Sequence, residues 1–200
     1  MSGSSEAGIA AALKTGSTVI KYPKPSNTED TIDSDLRLSA GVRVGIIARD
    51  DVDEAWRTAE KRFPEDRKGR LTHELAMKTS DSQWHQQLSR QEERPAGEIS
   101  PYWMRPFHTY KTFCPYLVGS HEDVAKEISG YVRSGHRTFI LDIPPSEEEL
   151  GHINTVFDLA ANSMKPHRGK PSRLGLDSCS AGAVYHQSVV SLRAPQAAGN

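Results

Sequence analysis

Short apolar runs alternate with amphipathic segments along most of the chain. The runs Thr18–Tyr22, Val42–Ala48 and Thr138–Asp142 are rich in β-branched residues and predict buried strands. Between the strands, apolar residues recur at helical spacing. The predicted helices are Glu6–Thr15, a segment from Asp50 or Asp51 to Arg62, Arg67–Arg90, and two further helices that begin at Ser120 and Ser146. This alternation indicates an α/β fold with parallel strands.

Polar residues mark where the last two predicted helices begin. Ser120 is followed by Asp123, and Ser146 by Glu149, at the three-residue spacing of a capping box. Between the Arg67–Arg90 helix and Ser120, the segment Glu92–Thr112 is rich in proline and aromatic residues and predicts an irregular excursion. The chain is then expected to return to the core over Thr112–Val118.

Three convincing strands are too few for a closed parallel barrel, which needs eight strands and about 250 residues. The chain has 200 residues and opens on a Gly-Ser-Ser turn with no strand before it. We therefore expect residues 1–163 to form the C-terminal half of a (β/α)8 TIM-type barrel that carries a helical and loop insertion. Residues 164–200 are dominated by Gly, Ser, Pro and Ala and predict a low-complexity, disordered tail, in which only the segment YHQSVVSL has strand character.

Charge and composition exclude several classes of function. The net charge is −1 with acidic and basic residues interleaved, so neither nucleic acid nor a membrane is an expected partner. The two cysteines are far apart and lack a CxxC motif, and no secretory signal or membrane-spanning run is present, which predicts a cytoplasmic protein. The eight histidines include no HExxH motif, and no metal site is expected.

Five segments, in order, resemble the flavin-dependent monooxygenases of the bacterial luciferase-like superfamily, and within it the alkanesulfonate monooxygenases. They are GSSEAG (3–8), GVRVGIIARDDVDEAW (41–56), SDSQWHQQL (80–88), YLVGSHEDVAKEI (116–128) and GHRTFILDIPPSEEE (135–149). The resemblance covers about residues 1–163. It implies oxygenation of a small organic substrate with reduced FMN, which a separate flavin reductase supplies.

Arg43 is the first candidate catalytic residue. It lies inside an apolar strand, where a charge is costly unless it is paired or faces a ligand. The resemblance implies an active-site arginine at this position; a strand-end ion pair is the alternative. Gly45 lies on the same face, where the sulfonate enzymes tend to carry a histidine. That departure is expected to enlarge the site, and it argues against a plain alkanesulfonate as the substrate.

Lys78 and the turn Gly3-Ser4-Ser5 complete the candidate site. Lys78 falls close to a mobile-loop arginine of the family and is the second catalytic candidate, within a lid expected over Arg67–Phe107. The turn precedes a helix, so its glycine, hydroxyls and free N–H groups could bind a phosphate. The resemblance implies that Gly3, Ser4 and Ser5 contact the FMN phosphate; an ordinary helix cap is the alternative.

Several other residues are assigned supporting roles. Asp142, at the end of a strand, either orients Arg43 or caps the next helix, with capping favoured. A tyrosine usual near Pro144 in the sulfonate enzymes is absent. The aromatic residues Trp84, Tyr102 and Trp103 are expected to pack in the core, and His108 and His136 to lie at the surface or behind the site.

Three functions remain open at this point. The first is an FMNH2-dependent monooxygenase in truncated form. The second is a non-catalytic half-barrel remnant or interaction module, since the resemblance implies that most flavin and substrate contacts lie in the absent first half. The third is a deazaflavin-dependent oxidoreductase. Half a barrel exposes apolar edges, so a homo-oligomer or a complementary N-terminal half is an expected partner.

Overall fold

A computed structural model describes residues 6–25, 40–79 and 100–164, together with the backbone of 185–186 and 189–191. These residues form a mixed α/β structure around an open, curled half-barrel sheet, which confirms the predicted fold class. In chain order the elements are α1 (Glu6–Thr15), β1 (Val19–Lys21), β2 (Ala40–Arg49), α2 (Val52–Arg62), α3 (Arg67–Thr79), β3 (Tyr102–Trp103), α4 (Arg105–His108), β4 (Tyr116–Ser120), α5 (His121–Arg133), β5 (His136–Leu141), α6 (Glu147–Ser163), β6 (Tyr185–His186) and β7 (Val189–Ser191).

Strand β2 is the centre of the sheet. The strand order is β3-β4-β2-β5-β7-β6, and β1 pairs with the start of β2. Both β4 and β5 run parallel to β2, with Tyr116 opposite Gly45 and Leu141 opposite Val44. Since β5 lies beside β2 rather than beside β4, the strands do not follow one another around the sheet in chain order. Neighbours on both edges bury every residue of β2 except the half-buried Arg43.

Antiparallel strands extend this parallel centre at both ends. Strand β3 pairs antiparallel with β4, so part of the segment predicted as an irregular excursion, Glu92–Thr112, is ordered as β3 and α4. At the other end, β7 pairs antiparallel with β5 and β6 with β7. These two strands lie within the tail segment in which the sequence showed strand character. The remaining tail residues lie outside the described part of the chain.

Helices cover both faces of β2. The side chains of Val42, Val44 and Ile46 join a core with α5 and α6. On the opposite face, Ile47 joins a second core with α2, Trp103 and Tyr116. Because side chains alternate along a strand, positions 43, 45 and 47 all face the α2 side. The predicted site residues Arg43 and Gly45 are therefore placed beside the second core.

The predicted helix caps are confirmed. Asp51, rather than Asp50, caps α2 by accepting a hydrogen bond of 2.8 Å from the Glu54 backbone N–H. Ser120 and Ser146 cap α5 and α6 in the same way. No helix in the described ranges is both long and apolar enough to cross a membrane.

Candidate functional site

The Nε–H group of Arg43 is a buried hydrogen-bond donor without an acceptor among the described residues. Its Nε atom is buried and makes no hydrogen bond within the described ranges, and no described carboxylate lies at ion-pair distance from its guanidinium. The strand-end ion pair considered from the sequence is therefore not formed among these residues. Because an unsatisfied buried donor is costly, an acceptor supplied by a ligand would stabilise this side chain.

The ring of Tyr116 fills the space in front of Gly45. A Cβ atom added at position 45 would overlap the ring atoms of Tyr116, which is only 4% exposed. The expectation that glycine enlarges the site is therefore wrong. Glycine instead lets an aromatic side chain from the neighbouring strand approach the backbone of β2, because it carries no side chain of its own.

Asp142 holds the hydroxyl group of Tyr116. The Tyr116 hydroxyl donates a hydrogen bond of 2.7 Å to Oδ2 of Asp142. Burial, reinforced by the Asp142 carboxylate, raises the pKa of Tyr116 far above its ordinary value, so this tyrosine remains a neutral donor. The favoured role of Asp142 as a helix cap is wrong, because Ser146 caps α6. Its described partner is Tyr116, and no ion pair with Arg43 forms among the described residues.

Cys114 is buried close to both Asp142 and Arg43. Burial, together with the charge of Asp142, raises the pKa of the Cys114 thiol to about 12, and the opposing influence of Arg43 is smaller. Tyr22 lies near the same arginine, and burial raises its pKa to about 12. Both groups are therefore neutral near pH 7, which excludes Cys114 as a thiolate nucleophile in this state. The cluster thus consists of the Arg43 cation, the Asp142 carboxylate and the neutral side chains of Tyr116, Cys114 and Tyr22.

Other predicted site residues lie apart from this cluster or outside the described ranges. Lys78 is exposed in the last turn of α3, and no hydrogen bond or ion pair joins it to Arg43 within the described residues. Helix α3 packs through His73 on Phe107, with ring centroids 4.9 Å apart. The lid and the catalytic role of Lys78 stay predictions. Gly3, Ser4 and Ser5, with their expected phosphate contact, lie outside the described residues.

The aromatic residues expected to pack do so where they are described. Tyr102 and Trp103 are each 8% exposed, and the Trp103 ring meets the Trp56 ring edge-on at 5.7 Å. Trp84 lies outside the described residues. His136 is buried at the start of β5, with its Nδ1 3.1 Å from the Tyr131 carbonyl oxygen, and His108 is half-buried.

A buried ion-pair network at the end of β2 has no counterpart in the sequence prediction. Glu149 is 6% exposed and binds both Arg49 and Arg62, the latter at 2.9 Å. Burial alone would raise the pKa of Glu149, but hydrogen bonds from the two arginines outweigh it and hold the pKa below its usual value. The network joins β2, α2 and α6, so it positions the elements on both sides of the sheet.

Two histidines lie near this network. Nδ1 of His121 lies 3.0 Å from Asp50, and its Nε2 lies 3.0 Å from Nδ1 of His152. Burial, with the charges of Arg49 and His121, lowers the pKa of His152, so this ring is neutral near pH 7. In the described ranges, no three His, Cys, Asp or Glu side chains converge as a metal site would require.

The sequence contains two weak signals for the features that the prediction missed, namely the contact of Tyr116 with Gly45 and the ion pairs of Glu149. A glycine inside the strand run VRVGIIA indicates that another group approaches the backbone closely, which is how Tyr116 packs. Glu149 was assigned to a capping box. Its backbone N–H does bind Ser146, at 3.3 Å, but its carboxylate binds the arginines instead of returning to the cap.

Fold and site together define an α/β half-barrel with a cluster of one arginine, one carboxylate and aromatic side chains on one face. No protein-family model matches the chain. A curated protein of Niallia circulans, the 4-(gamma-L-glutamylamino)butanoyl-[BtrI acyl-carrier protein] monooxygenase BtrO, is 31% identical over 168 residues, which cover 81% of this chain and 48% of that protein. The chain is therefore a distant homologue of this monooxygenase and spans about half of its length.

Proposed function

We propose that the chain is part of a reduced-FMN-dependent monooxygenase that acts on a small organic substrate. Distant homology to a monooxygenase supports the reaction class. The observation that carries the proposal is the buried Nε of Arg43, which has no acceptor in the described part of the chain and lies on the face where the sequence predicts the site. In the proposed role, Arg43 donates a hydrogen bond to an oxygen atom of the flavin or the substrate.

A flavin suits the donors that this face offers. Its phosphate and ring carbonyl oxygens are acceptors, and the Nε–H group of Arg43 is a buried donor without an acceptor among the described residues. The Tyr116 hydroxyl already donates to Asp142, so Arg43 is the donor that the proposal uses. Bound flavin supplies the electrons for oxygen chemistry. The chain's own residues bind and orient: Arg43 supplies a fixed positive charge, and the rings of Tyr116 and Trp103 exclude water from its surroundings.

The substrate and partners are proposed at a coarser level. The relative's name describes a substrate bound to an acyl-carrier protein, and the resemblance of the motifs suggests alkanesulfonates. Both substrate classes therefore belong in a screen. We propose that a separate reductase delivers the flavin. Because the chain spans about half of its relative, we also propose that full activity needs a second copy or a complementary N-terminal half-barrel.

Titration of the purified chain with reduced FMN under anaerobic conditions tests the cofactor and the role of Arg43. We expect saturable binding on the order of micromolar, and Arg43→Ala should weaken it at least tenfold because a charge-assisted hydrogen bond is lost. Arg57→Ala, which removes an exposed arginine of α2, is the matched control and should leave affinity unchanged. Ser5→Ala and Lys78→Ala report on the predicted phosphate turn and lid. Equal affinity of the Arg43 and Arg57 variants would contradict the assignment. The same titration with a deazaflavin tests the third function, since a deazaflavin-dependent oxidoreductase should bind the deazaflavin more tightly than FMN.

One observation favours a second candidate, a non-catalytic interaction module. Helix α2, Trp103 and Tyr116 pack over the face that carries Arg43, so the chain covers this face with its own residues. Absence of flavin binding up to about millimolar concentration, by a chain that is folded by circular dichroism, would favour this candidate.

A further inference from the structure

Three groups from three strands set the chemistry beside Arg43. Gly45 and Arg43 lie on the same face of β2, Tyr116 stands opposite Gly45 on β4, and Asp142 follows directly after β5. The Asp142 backbone N–H donates to the Val44 carbonyl oxygen at 3.3 Å, which anchors the carboxylate next to β2. A carboxylate and a guanidinium thus share one end of the site without pairing within the described ranges.

Tyr116 and Gly45 depend on each other sterically. The Tyr116 ring occupies the space that any side chain at position 45 would need. An imidazole at position 45 and a tyrosine at position 116 are therefore mutually exclusive in this backbone. The Tyr116 hydroxyl also donates a hydrogen bond to Asp142. A chain with glycine at position 45 and tyrosine at position 116 therefore holds a carboxylate on this face, where an imidazole would otherwise stand.

We propose that Tyr116 and Asp142 determine which ligand Arg43 accepts, disfavouring a sulfonate relative to a neutral carbonyl group such as an amide or a thioester. This inference rests on the proposed function, because it concerns the ligand of the same face. Its physical reason is electrostatic. The Asp142 carboxylate repels an anion bound at Arg43 but has little effect on a neutral acceptor of the same size.

Two probes of similar size, ethanesulfonate and propionamide, test this inference with the full 200-residue chain. The readout is the nuclear magnetic resonance signal of the Arg43 Nε–H group, which is assigned by its loss in Arg43→Lys. Asp142→Asn removes the charge and should improve sulfonate affinity about tenfold, the order of magnitude for removing one nearby like charge at the effective dielectric of a protein. Propionamide affinity should change less than twofold.

A second variant acts in the opposite direction and leaves the ring in place. Tyr116→Phe removes the donor that partly neutralises Asp142, so sulfonate affinity should fall about twofold to threefold while propionamide affinity is unchanged. Asp158→Asn, which removes an exposed carboxylate of α6, is the charge control and should alter neither. Near-ultraviolet circular dichroism identifies any variant with disturbed packing, and the other variant then carries the test.

The outcomes separate this inference from the function on which it rests. A sulfonate affinity that is equal in Asp142→Asn and Asp158→Asn, with both probes shifting the Arg43 signal, overturns the inference and leaves Arg43 as a ligand-binding residue. An Arg43 signal that responds to neither probe overturns both. A selective gain for sulfonate in Asp142→Asn, reduced by added salt, supports the inference.

Discussion

Replacing Gly45 by alanine is expected to lower the free energy of unfolding by about 1–3 kcal/mol, the range for inserting an atom into a packed core. The new Cβ would overlap the Tyr116 ring, which cannot move freely because it is buried and hydrogen-bonded to Asp142. The phenylalanine ring of Phe63 also packs on Tyr116, with centroids 4.9 Å apart. Urea unfolding followed by tryptophan fluorescence measures the change.

Gly151 provides the matched glycine control. It lies in α6 with no atom within 4 Å of an added Cβ, so Gly151→Ala should be stabilising by about 0.5–1 kcal/mol. In a Tyr116→Leu background, Gly45→Ala should cost clearly less, because a smaller side chain leaves room for the new methyl group. If Gly45→Ala is as harmless as Gly151→Ala, Tyr116 does not occupy the space in front of β2.

Replacing Glu149 by glutamine is expected to cost about 3 kcal/mol, at the low end of the range for breaking a buried ion pair. Glutamine keeps the size of the side chain but removes the buried carboxylate that binds Arg49, whose side chain is 9% exposed. Among the described carboxylates, Arg49 then keeps only the more distant Glu54, 4.0 Å away and itself largely exposed. The neighbouring Glu148 is exposed, so Glu148→Gln should change stability by less than about 0.5 kcal/mol. Similar losses in both variants would show that the network contributes no more than surface charge.

The Glu149 network also predicts how stability depends on pH. The pKa of Glu149 is lowered in the folded state, so the unfolded chain takes up this proton first as the pH falls. Its stabilisation is therefore complete above the unfolded pKa, near 4.5, and is lost as the pH falls through the folded value. Urea unfolding between about pH 7 and 3 should show a constant difference between the natural chain and Glu149→Gln above about pH 5, shrinking below it.

The sequence predicted the local elements better than their pairing. The run TVIKY contains β1, and the runs VRVGIIA and TFILD cover most of β2 and β5, because β-branched residues and flanking turn residues act locally. The order of β4, β2 and β5 was not predictable from the pattern. Strand β2 is apolar on both faces, so its alternation does not identify its neighbours or their register.

The site was only partly predictable for the same reason. Arg43 stood out because a charge inside an apolar strand is costly, and its buried Nε–H donor has no acceptor among the residues that the structure describes. The contact of Tyr116 with Gly45 depends on the register between β4 and β2, which one sequence does not reveal. Glu149 was hidden in a run of three glutamates, of which only the third is buried.

The most direct test of the account follows the Arg43 Nε–H signal by nuclear magnetic resonance while reduced FMN is added to the chain without oxygen. The account predicts a saturable shift of this signal, because the flavin or its phosphate supplies an acceptor to the Nε–H group, which has none in the described ranges. Saturable FMN binding that leaves the Arg43 signal unchanged, or no binding up to about millimolar flavin, would contradict it.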